Sequence, residues 1–254
     1  MPPHHLAYEA LSALTGHDIK PVHEFHQKNP GKPAPVLLTH QEFMHHVLFA
    51  SRSDHLDGSP NFFVGQRSID NEYIRKELFV HEEEFFDPGY DYDFTHINDG
   101  TTQFKRGNEL YKRPCGWNRI ALKVLDKYKD GNGWLGTESD AWPVSYHGTS
   151  IEGAEGIIES YYKPGSGEVY GRGIYSAPKI ETTFGYSKQF TSKSTKKNYK
   201  VVLQNRINPK ERHITERADY WLVPVPKGTP PAAEKIIVES AIRPYGLLLK
   251  EVRD

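Results

Sequence analysis

Cysteine is nearly absent from this chain: Cys115 stands alone among 254 residues. One thiol can neither close an intramolecular disulfide nor furnish a cysteine-based zinc site. Its surroundings, RPCGWNR, suit a small buried side chain better than a reactive thiol. An excess of one charge is lacking too, the formal net charge being −1. Such a chain has no overall field to gather nucleic acid, although local basic patches remain open to it. Long apolar runs are also missing. No stretch approaches the roughly eighteen consecutive apolar residues of a spanning helix, and no basic segment followed by an apolar run opens the chain. The expectation is a soluble intracellular protein, cytoplasmic or nuclear, without a membrane partner.

What is present is aromatic. The hydrophobic fraction is only 37%, yet fifteen Tyr, twelve Phe and four Trp can bury a real core, which excludes a disordered chain. The length fits one large domain or two small ones. LAYEALSALTG places Leu6, Leu11 and Leu14 on one helical face and stops at Gly16. NPGKPAP then breaks the chain, so much of this first segment is expected to be mobile or loosely docked. THQEFMHHVLFASRS reads as a helix capped by Thr39. His23 and His26, with His40, His45 and His46 nearby, invite a metal reading. They lack the i, i+4 pair with a carboxylate of a zinc helix, so solvated or capping histidines and no metal are expected. IDNEYIRKELFVHEEEFF looks helical, and DPGYDYDF looks like a turn entering a short strand.

From IALKVL onward, strands dominate. AWPVSYHG, GIYSA, YKVVLQNRI, ADYWLVPV and IRPYGLLLKEV read as strands, with Val201, Leu203 and Ile207 in the core. SIEGAEGIIES, capped by Ser150, reads as a helix, as do IETTFGYSKQF and GTPPAAEKIIVESA, the last capped by Thr229. The basic run Lys193 to Lys200 is most simply a solvated hairpin tip. The densest chemistry lies between Tyr146 and Tyr186. There His147 and Gly148 leave a strand toward a helix, and Gly171 and Gly173 flank Arg172 where a ligand could approach the backbone closely. Tyr175 and Tyr186 are spaced to face each other across a flat ring, although a lone pair of tyrosines is more often core.

Taken together, His147-Gly148-Thr149 followed by GRGIYSAP-x4-T-x2-Y closely resembles the poly(ADP-ribose) polymerase branch of the ADP-ribosyltransferases, over about residues 145–254. The resemblance implies an α+β fold in which a split antiparallel sheet cradles NAD+; the residues before it read, from the sequence itself, as a mostly helical and irregular N-terminal region. Residues 1–110 form that region, of unknown role, and 111–254 the catalytic domain. It further implies that His147 bonds the adenosine ribose and that Gly148, with Thr149 beside it, holds the nicotinamide carboxamide through the backbone. Thr183 would add a hydroxyl to that amide, Tyr186 would stack on the nicotinamide ring, and Tyr175 and Gly173 would build the other wall.

The family's third catalytic residue is a Glu opening a late strand of the form Glu-Tyr-Ile-Val-Tyr, and here ADYWLVPV puts Asp219 in that place. Glu234, before KIIV, and Glu216, just upstream, are rivals. An Asp reaches about 1 Å less far, and misplacement of that order can cost about 100-fold in rate. The expected activity is transfer of ADP-ribose from NAD+ to an unknown acceptor, protein or nucleic acid. Mono-ADP-ribosylation is favoured over polymer because the elongating Glu is not evident. NAD+ glycohydrolysis and a non-catalytic NAD+- or ADP-ribose-binding module are the alternatives. Oligomeric state cannot be read from the sequence.

Overall fold

A computed structural model describes residues 4–33, 36–50, 76–148, 173–216, 218–226 and 228–253. The helix expected after Ser150, the glycine and arginine at 171 and 172, and the beginning of the helix expected before Glu77 lie outside them.

The chain opens with α1 (His5–Thr15), which ends on Gly16 at φ 71°, the left-handed conformation that glycine adopts without strain. The loose docking expected of this segment does not hold for the leucine face of α1. Leu6, Ala10 and Leu11 are buried in the main core, because an apolar stripe of this width is stabilised only against a partner. After β1 (Asp18–Pro21) and α2 (Val22–Lys28) comes α3 (His40–Ala50). Its start is a reciprocal cap: Thr39 Oγ1 accepts from the Glu42 N–H at 3.2 Å, and the Glu42 carboxylate accepts from the Thr39 N–H at 2.9 Å.

The helix expected through ELFV is instead β2 (Glu77–Val80), paired in parallel with β1. Leu78, Phe79 and Val80 are consecutive and all buried, which suits a strand covered on both faces. α4 (Glu82–Phe85) follows, then β3 (Tyr92–Asp93), the hairpin of β4 (Phe104–Arg106) and β5 (Glu109–Tyr111), β6 (Asn118–Ala121), β7 (Val144–His147) and β8 (Gly173–Ser176).

The segment IETTFGYSKQF, expected as one helix, divides. It gives α5 (Ile180–Thr183), a 3-10 turn over Phe184–Tyr186, and then β9 (Lys188–Thr191). Gly185 weakens helix continuation, and the residues beyond it find an open edge of β10 (Asn198–Ile207). Lys196, at φ 61°, turns the tip between these strands. β11 (His213–Ile214), β12 (Trp221–Pro224), α6 (Pro231–Ala241) and β13 (Ile242–Val252) complete the order. Thr229 does not cap α6: its hydroxyl donates to the Pro226 carbonyl, and Pro230 holds the cap position.

The protein is therefore α+β with several antiparallel sheets. The larger runs β3-β6-β13-β10-β7, with β9 on the other half of the β10 edge, and the smaller runs β11-β12-β8. Val201, Leu203 and Ile207 are fully buried, in a strand whose residues are buried on both faces from Val201 to Ile207. One apolar cluster joins Leu6 and Leu11 of α1 to Leu122, Val201 and Leu247, so a shared core crosses from the first hundred residues into the later strands. Among the described residues no helix is long and apolar enough to cross a membrane.

Candidate functional site

β7 and β8 are edge strands of the two sheets, and they touch at one bridge. Tyr146 and Ala177 exchange both main-chain hydrogen bonds at 2.8 Å. Past that bridge the strands part, and a side chain takes over from the ladder: His147 Nδ1 lies 2.6 Å from the Tyr175 carbonyl oxygen. A carbonyl can only accept, so Nδ1 carries the proton, and in the neutral ring Nε2 bears the lone pair. The ring is neutral at physiological pH. Burial lowers its pKa to about 4, and the bond to Tyr175 opposes this only in part.

Gly148 leaves β7 directly beneath the turn that carries Tyr186. A Cβ at this position would sit 2.8 Å from the Tyr186 carbonyl oxygen and 3.0 Å from its Cβ, so the close passage requires glycine. Gly173, which opens β8, is constrained in the same way, since a Cβ there would strike the Val223 carbonyl. Thr183 is buried at the end of α5, its hydroxyl donating to the Ile180 carbonyl at 2.8 Å. The hydroxyl oxygen can still accept a hydrogen bond. Thr149 lies outside the described residues.

The tyrosines converge as well. Tyr175 and Tyr186 both pack against Ala177 and Tyr220. Tyr220 was not singled out from sequence, although its position beside the candidate acid in ADYW was the available signal. The structure thus brings His147, Gly148, Tyr175 and Tyr186 to the point where the two sheets separate. Residues far apart in the chain meet there because a bridge, an imidazole and a glycine contact hold β7, β8 and the Tyr186 turn together.

The candidate acids separate clearly. β12 pairs with β8 so that Leu222 faces Tyr175, and the Thr215 N–H donates to the Tyr220 carbonyl at 3.0 Å. Glu216 and Asp219 therefore lie between β11 and β12, and both are exposed. Ala218, immediately before Asp219, has φ 54°. A left-handed alanine costs about 1–2 kcal/mol, so the turn that presents Asp219 is strained. Asp219 adjoins Tyr220 and hence the tyrosine cluster. Glu234 is elsewhere, in the first turn of α6 and only 5% exposed, on the face that carries the buried Val238 and Ala241.

Among the described residues no group of three or more His, Cys, Asp or Glu side chains could hold a metal ion. The histidines expected to be solvated or capping include one that is neither. His40 is 4% exposed, and its neutral ring results from burial and the charge of Lys127, which lower its pKa to about 3. Cys115 is half-buried, and desolvation raises the pKa of its thiol, as suits an unreactive cysteine. Compared with protein-family models and with curated proteins, the chain matches none.

Proposed function

We propose that the protein is an ADP-ribosyltransferase of the poly(ADP-ribose) polymerase-like branch, with NAD+ as co-substrate and mono-ADP-ribosylation of an acceptor as its reaction. The observation that carries this reading is the meeting of His147, Tyr175, Gly148 and Tyr186 at the parting of two antiparallel sheets. Such an arrangement agrees with the split-sheet fold that the sequence resemblance implies. The residues that would hold NAD+ are His147, whose proton is fixed on Nδ1 by the Tyr175 carbonyl, and Tyr175 and Tyr186, packed at Ala177 and Tyr220.

In this reading His147 accepts a ribose hydroxyl through Nε2, with its tautomer set by the Tyr175 carbonyl. The Gly148 backbone and the acceptor capacity of Thr183 hold the carboxamide, and Tyr175 and Tyr186 bound the nicotinamide. NAD+, when bound, supplies an electrophilic ribose carbon with nicotinamide as leaving group. The protein's task is then to orient these parts and to place a carboxylate near developing positive charge. Asp219 is assigned that role, because its turn adjoins Tyr220 and the tyrosine cluster.

A binding-only module is the second reading. It is favoured by the shorter acid in an exposed turn, where the family pattern has Glu. Titration of the purified chain with NAD+ tests what both readings share. Saturable binding is expected, with Tyr186→Ala weakening it about tenfold through loss of ring stacking. Absence of binding, or an unchanged affinity in Tyr186→Ala, would contradict the proposed site.

A further inference from the structure

The basic run that ends at Lys200 meets a further lysine on the neighbouring strand. Lys200 lies on the half of β10 that pairs with β9 rather than β7, directly opposite Lys250 of β13. Like charges in that relation repel and weaken a sheet. Their side chains nevertheless converge: the Lys200 ammonium stands 4.0 Å from the centre of the Phe184 ring and the Lys250 ammonium 5.7 Å. Trp117 closes the group, edge-on to Phe184 and 5.8 Å from the Lys250 ammonium. Phe184 is still 37% exposed.

Little negative charge offsets this pair. Among the described residues neither ammonium forms an ion pair with a carboxylate. Glu251 sits on the opposite face of β13 and is held by Lys197 at 2.9 Å, while Asp99 pairs with Arg113 and Asp18 meets Lys193 at 3.8 Å. Glu181, exposed on α5, is the one nearby carboxylate outside these pairs. Lys188 on β9, Lys196 at the tip and Arg253 past the end of β13 are all exposed and add to the positive side. Lys200 donates to the Phe184 carbonyl at 2.9 Å, which leaves it two further protons to donate. Lys196 precedes Lys200 by four residues, roughly 10 Å along the chain, a wider spread than one phosphate group spans.

We propose that this end of the larger sheet binds single-stranded nucleic acid. Lys200 and Lys250 take the phosphates, and a base packs against the exposed part of Phe184. Cations spread along two strands suit a chain of separate negative charges, and an exposed ring among them suits one that also carries flat bases. A net charge of −1 is compatible with this, because a local patch needs no overall field. The inference does not rest on the NAD+ reading, since the binding is measured without NAD+.

The probe is a fluorescein-labelled oligouridylate of about 15 nucleotides, titrated with the full chain and followed by anisotropy. At about 50 mM salt a Kd on the order of 10 μM is expected, weakening about tenfold by about 200 mM. Lys250→Glu should weaken binding about tenfold or more, whereas Lys250→Arg should bind as the parent does. Phe184→Leu, which keeps the turn apolar, should weaken it about threefold through lost stacking. Poly-glutamate of matched charge should displace the probe poorly, because it carries no bases. The salt dependence and the competition are read on the unsubstituted chain, so no variant's folding can confuse them. Absence of saturable binding up to about 200 μM, parental affinity in Lys250→Glu, or equal displacement by poly-glutamate would overturn the proposal.

Discussion

His147 shows how one residue is set by its surroundings. Its burial and its bond to the Tyr175 carbonyl together demand a neutral ring with the proton on Nδ1. The same burial has a cost that depends on pH. The folded pKa, about 4 for His147 and about 3 for His40, lies below the ordinary value of 6.5. The unfolded chain therefore takes up protons first as pH falls. Stability contributed by these neutral rings is full above the unfolded pKa and declines as pH drops toward the folded values. Between about pH 7 and about pH 5 each histidine should account for roughly 2 kcal/mol of lost stability. Urea unfolding midpoints measured across that range should fall, and His147→Gln should flatten the slope. A midpoint independent of pH would contradict the burial of both rings as neutral groups.

At the scale of elements, the outcome of each segment follows from how local its signals are. α1 was readable because Gly16 and the leucine spacing are local features, and α3 because Thr39 and Glu42 cap each other. ELFV reads as helix in the sequence because its apolar run suits either structure, and only the neighbouring β1 decides for a strand. SKQF was misread because the β10 edge that recruits it begins beyond the following turn. In the candidate site, His147, Gly148, Tyr175 and Tyr186 were legible from their types and order. The role of Tyr220 was not, since it depends on the register of β12 against β8. That register also explains Gly173. Gly173→Ala would force a Cβ into the Val223 carbonyl and push the strands apart, so a loss of about 3 kcal/mol or more is expected in denaturant unfolding. A variant as stable as the parent would show that the two strands are not so closely paired.

For the whole molecule, the shared core matters most. The sequence suggested a region of unknown role ending at residue 110 and a catalytic domain after it. The apolar cluster nevertheless joins Leu6, Ala10 and Leu11 to Val201, Leu203 and Leu247. A chain beginning at residue 111 would expose that face of the sheet to water. It is expected to lose the cooperative thermal transition of the full chain and to bind a hydrophobic dye. A sharp transition in the truncated chain would show instead that the later strands fold alone. The two ends of the molecule are thus coupled through packing, while the parting of the sheets is where chemistry is proposed.

The proposed reaction is cleavage of the nicotinamide–ribose bond of NAD+ where the two sheets part. Nicotinamide release by the purified full chain, with His147→Ala and Asp219→Asn alongside, tests it most directly. Measurable release by the parent is expected, with a decrease of about 100-fold or more in both variants and NAD+ still bound by Asp219→Asn. No release from the parent, or an equal rate from His147→Ala, would contradict it.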